Sequence, residues 1–146
     1  MTNEEMAASA LRIAVRIFEE AKRYRTEGTW NLAIRRCQEA VELSLKGLLR
    51  LLGLEVPKVH DVSGFLRRYS DRLPLPIAEN LNRIARISRT LREEREISFY
   101  GDESAGFAPE ELYTKEDAEK ALDDAGFVLA LCRGAIDKDE HYDPDK

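Results

Sequence analysis

Histidine is scarce in this chain, with only His60 and His141 among 146 residues. Neither has a second His or a Cys at ligand spacing, so the sequence supports no built-in metal site. Its two cysteines, Cys37 and Cys132, lie far apart and form no CxxC motif. That removes the usual support for zinc or thioredoxin-type chemistry. Both fall on apolar helical faces and read as buried thiols acting as small hydrophobes. Gly-rich phosphate loops, HExxH and GxSxG are all missing. No catalytic set is visible, no cofactor is implied, and the chain reads as a binding module rather than an enzyme. No apolar run approaches the roughly 20 residues that span a bilayer. The segment MTNEEMAASA is acidic where a signal peptide would be basic, so a cytoplasmic protein without membrane contact is expected. Gln and Asn are sparse beside Arg, Glu and Leu, a composition seen in thermophiles. Strand-period alternation, internal repeats and low-complexity blocks are absent as well.

What remains is helical periodicity. A chain of this length forms one domain and buries roughly 70% of its unfolded surface without disulfide or metal. The expected fold is all-α: an antiparallel bundle of four long helices plus one short helix. Residues 1–137 form the domain and 138–146 a charged tail that frays. The first helix spans residues 3–26, with Thr2 and Glu5 at capping-box spacing. Its apolar positions are Ala10, Ile13, Ala14, Ile17, Phe18, Ala21 and Tyr24. The second starts at Trp30, with Thr29 as N-cap, and stops at Gly53. At about 100° per residue, Trp30, Ile34, Cys37, Val41, Leu45, Leu48 and Leu52 share one face. Arg35, Glu39, Lys46 and Arg50 form its wet back. Trp30 is either a core anchor or a base-stacking ring.

Pro57 keeps the next connection extended, and Asp61 caps a short helix over residues 62–69. His60 either bonds backbone at that turn or contacts a ligand. Pro76 opens a fourth helix over residues 76–99. Its seam, Ile77, Leu81, Ile84, Ser88, Leu91, Arg95, Ser98, begins apolar and turns polar on the same face. Arg95 is thus aimed inward, where a charge needs partners. Residues 100–113 read as a loop long enough to be functional. Thr114, with Asp117 at capping-box distance, starts a last helix over 115–137 with the seam Ala118, Leu122, Ala125, Leu129, Cys132, Ile136.

The order QEAVELSLKGLL, then LGLEVPKVHD, resembles the first half of HEPN domains. Gln38, Ala40, Glu42, Lys46, Leu48, Leu49, Pro57 and His60 stand where that family's motif has them. The resemblance implies a nucleotide- or RNA-associated module, a homodimer, and, as in toxin–antitoxin-like systems, a separate minimal nucleotidyltransferase partner. Ribonuclease members carry an Arg followed, after four to six residues, by a His. Here Arg95 precedes Tyr100 and Gly101, and no His stands in the window. An unperturbed phenol has a pKa near 10 and makes a poor general base at neutral pH. The metal-independent ribonuclease is therefore the lesser reading, and a plain dimeric helical scaffold is the structural alternative.

Arg92, Arg95, Tyr100 and Asp102 remain as the candidate nucleotide- or partner-binding set. Arginine can clamp phosphate, Tyr can stack, and Asp can accept from a base or ribose. The alternative is an Arg–carboxylate network that fixes helix packing. Charge is asymmetric: residues 1–95 hold 18 Lys and Arg against 13 Asp and Glu, residues 96–146 hold 5 against 15, and the chain nets −5. The basic part is either ion-paired along helix backs or an anion-binding surface.

Overall fold

The structure, a computed structural model, describes residues 1–55 and 61–137. The expectations for Pro57, His60, His141 and the charged tail fall outside those residues. Four long helices are present: α1 (Asn3–Glu27), α2 (Trp30–Leu51), α5 (Leu81–Tyr100) and α7 (Lys115–Ile136). Three short helices join them where one was expected: α3 (Val62–Arg68), α4 (Leu75–Glu79) and α6 (Pro109–Leu112), besides a 3-10 turn at Ser70–Arg72. No helix among the described residues is long and apolar enough to cross a membrane.

Local chemistry explains most boundaries. The Thr2 hydroxyl accepts from the Glu5 N–H at 3.1 Å, and Asp61 accepts from the Ser63 N–H at 3.0 Å. Thr114 and Asp117 cap each other reciprocally at 3.2 and 2.9 Å, which satisfies orphan donors of the first turn. Thr29 occupies the N-cap position of α2, but its hydroxyl makes no cap bond. Its N–H instead donates to the Tyr24 carbonyl at 2.9 Å and closes the end of α1. The expected fourth helix is two. The Asn80 side chain donates to the Pro76 carbonyl at 2.8 Å. It thereby takes the acceptor that the Asn80 N–H would use in an unbroken helix, and the chain bends there.

α2 is the central element, packed by α1, α5 and α7 and touched by α3 and α6. Leu45, Leu48 and Leu49 are completely buried. With neighbours on so many sides, no residue of α2 is fully exposed, and the expected wet back is half-buried. α1 lies antiparallel to α2 at close range. A Cβ on Gly47 would stand 3.1 Å from the Ala10 Cβ and 3.4 Å from the Ala7 carbonyl oxygen. The core stripe of α1 is Ala7, Leu11, Ala14, Phe18 and Ala21, spaced alternately four and three apart. Ile13 lies off that stripe and is 49% exposed, contrary to its expected place in the core. The α7 seam is buried from Ala118 to Cys132.

Candidate functional site

The last turn of α5 is tied to the first turns of α2. Asn31 Nδ2 donates to the Ser98 carbonyl at 3.1 Å. Arg35 donates to the Arg95 carbonyl, which also accepts from Ser98 Oγ at 3.2 Å. The Ser98 carbonyl lies in the last turn, where a helix end leaves acceptors without intrahelical partners, and Asn31 supplies one; Arg35 adds a bond to a carbonyl one turn earlier. The Arg35 guanidinium also lies 5.4 Å from the centre of the Phe99 ring, a cation–π distance.

This junction closes one end of a polar groove of about 240 Å³ between α1, α2 and α5. Ile17, Gln38 and Leu43 line it together with Arg35, Glu39, Glu42, Lys46 and Arg95. Its carboxylates are engaged: Arg36 bonds Glu39 at 2.6 Å, and Arg92 faces Glu42 at 3.9 Å. Its cations are not matched in the same way. Among the described residues, neither Lys46 nor Arg95 has a carboxylate within ion-pair distance. Two such cations on one groove attract a negatively charged group.

The four residues singled out by sequence do not converge. Arg95 stays on the groove, but its side chain is exposed rather than aimed into the core. The buried member of its face is Ser98, at 0% exposure. Arg92 borders the same groove through Glu42. Tyr100 is 64% exposed and stacks edge-on against Phe99 at 5.1 Å. Asp102 holds a turn: its carboxylate accepts from Ser104 Oγ at 2.8 Å and the Ala105 N–H at 3.1 Å. The Ser104 bond, then the Ala105 bond, hold that carboxyl below its ordinary value of 3.8. Two backbone bonds of 3.0 Å pair Asp102 with Phe107, so residues 100–113 are a closed turn followed by α6 rather than an open loop.

Sequence reasoning passed over Arg35 and Lys46 as site residues because a single helical wheel puts them on the solvent side of α2. Lys46 also stands one turn after Glu42, a spacing that suggests an ion pair on the helix surface, whereas the structure sets Glu42 at 3.9 Å from Arg92. Among the described residues, no group of three His, Cys, Asp or Glu is placed to hold a metal ion.

The profile described as HEPN domain matches residues 7–135. The crystal structure of an archaeal HEPN homologue superposes on this chain with a TM-score of 0.66. It is 28% identical, and the match covers 89% of this chain and 97% of that one. No curated protein matches the chain.

Proposed function

The chain belongs to the HEPN domain family, and from that premise we propose that it is a nucleotide- or RNA-associated binding module. In this reading the groove between α1, α2 and α5 receives a phosphate group. The observation that carries it is the pair of cations Lys46 and Arg95 on one groove, neither with a carboxylate in ion-pair distance among the described residues. At about 240 Å³ the groove is smaller than the roughly 300–1,000 Å³ that encloses a whole small molecule. It fits the phosphate end of a nucleotide, with the sugar and base outside, beside the half-exposed Phe99 ring. The module works as a homodimer with a separate minimal nucleotidyltransferase as partner, as family membership suggests. Cleavage is not part of the reading, because Tyr100 stands where the ribonuclease members have His.

Calorimetric titration with ATP, ADP, AMP, GTP and a single-stranded RNA tests it. Binding should weaken as phosphates are removed and as salt rises. Arg95→Ala and Lys46→Ala should each cost about 1.5–3 kcal/mol of binding, the range for a charged hydrogen bond. No heat with any of these ligands, or equal binding by folded variants, would contradict the proposal.

A further inference from the structure

On the other flank of α5 lies a second cleft of opposite character. It has a volume of about 390 Å³ and sits between α5, α6 and α7. Its apolar lining includes Ile34, Leu91, Ile97, Leu112 and Ala121, and its polar lining includes Glu94, Asp102, Asp117, Asp124 and the single cation Lys120. The four carboxylates have fixed positions. Glu94 accepts from the Tyr113 hydroxyl, Asp102 from Ser104 and Ala105, and Asp117 from the Thr114 N–H. Among the described residues, Asp124 alone of the four is bonded to a cation, Lys120 at 2.8 Å. Three of the four are held by neutral donors, so their charge is oriented but not cancelled. Surplus charge of one sign around a cleft favours a partner of the opposite sign.

The apolar surface also continues past the mouth of the cleft. Ile97 is 40% exposed, and Phe107, paired through its backbone to Asp102, is 49% exposed. The turn that carries Phe107 is closed by design of its backbone. Gly101 has φ 79°, and a Cβ there would strike the Phe107 carbonyl. A fixed turn presenting an aromatic ring beside an apolar cleft matches an interface better than an enclosed small-molecule pocket.

We propose that this cleft docks a basic, amphipathic segment of a partner protein, with a bulky aliphatic side chain on the apolar floor and flanking arginines or lysines on the carboxylate rim. Charge complementarity excludes nucleic acid as the occupant, since phosphates would meet the rim as like charges. The groove for anions and the cleft for a cationic segment then lie on opposite flanks of one helix, and the inference stands independently of nucleotide binding.

The test uses the full chain and a short helical peptide carrying one leucine between two arginines on the same face. Amide NMR should show peptide-dependent shifts at Ile97, Leu112 and Ala121. Replacing the peptide leucine by serine, or its arginines by glutamates, should weaken binding at least about tenfold, the equivalent of 1.4 kcal/mol. Ile97→Arg, at an exposed position, should weaken it to the same extent while leaving any nucleotide affinity unchanged. Lys120→Gln, which removes the one compensating cation, should tighten it. Equal binding of the serine peptide, shifts mapping elsewhere, or an unaffected Ile97→Arg protein would overturn the proposal. So would the same amides shifting on dilution without peptide, which would assign the cleft to a second copy of this chain.

Discussion

Asp102 shows how one side chain sets local structure. Its carboxyl titrates below the ordinary 3.8 because Ser104 and Ala105 donate to the charged form. A depressed carboxylate stabilises the fold above its unfolded value, and that contribution is lost as pH falls through the folded value. The Ala105 amide resonance should therefore titrate with a midpoint below 3.8. An inflection above 3.8 would show that the turn is not held by this charge. The cysteines titrate in the other direction. Burial pushes the Cys132 thiol up to about 12 and raises Cys37 as well. Both stay protonated in the native chain while unfolded thiols ionise from about 9.0, so stability should fall as pH rises beyond that value. A thiol reagent at pH 8 should label neither cysteine until denaturant is added. Rapid native labelling would place one of them at the surface. Arg95 has the opposite setting. Exposed and without an ion pair among the described residues, it should tolerate Arg95→Ala within about 0.5 kcal/mol, whereas a structural ion-pair member would cost far more.

At the scale of elements, close approach between α1 and α2 makes a sharper demand than hydrophobicity. Gly47→Val adds methyl groups where even a single Cβ would stand 3.1 Å from the Ala10 Cβ. Overpacking of this kind costs about 1–3 kcal/mol, and thermal unfolding should show a lowered Tm. An unchanged Tm would mean that the two helices can separate freely. The seams of α2 and α7 were legible in sequence because each helix turns one continuous apolar stripe to the core: Ile34, Cys37, Val41, Leu45, Leu48 and Ala118, Leu122, Ala125, Leu129, Cys132. The family was legible for a related reason, since its motif lies on that central helix. Other features were not. The bend at Asn80 depends on one side chain competing with its own backbone, which apolar spacing does not register. Ile13 lies off the buried stripe of α1, and Arg95 is exposed although Ser98 on its face is buried; residue type announces neither. The groove itself joins the backs of three elements, and no single wheel displays it.

Across the whole molecule, charge separates by flank. Helix α5 has Lys46 and Arg95 on one side and the carboxylates of the α6–α7 cleft on the other. If the homodimer proposed above forms, sedimentation at tens of micromolar should give twice the mass of 16.7 kDa, and a monomer would remove that part of the proposal. Incubation with structured and unstructured RNA in EDTA should leave the RNA intact. Chelator-resistant cleavage lost on Arg95→Ala would revive a ribonuclease reading. The central claim is that the α1–α2–α5 groove holds a phosphate group. Its most direct measurement is calorimetry of ATP binding to the double variant Lys46→Ala/Arg95→Ala, paired with its unfolding midpoint. Unchanged stability with binding weakened by at least about 1.5 kcal/mol is the predicted result. A folded double variant that binds ATP as tightly as the parent would contradict it.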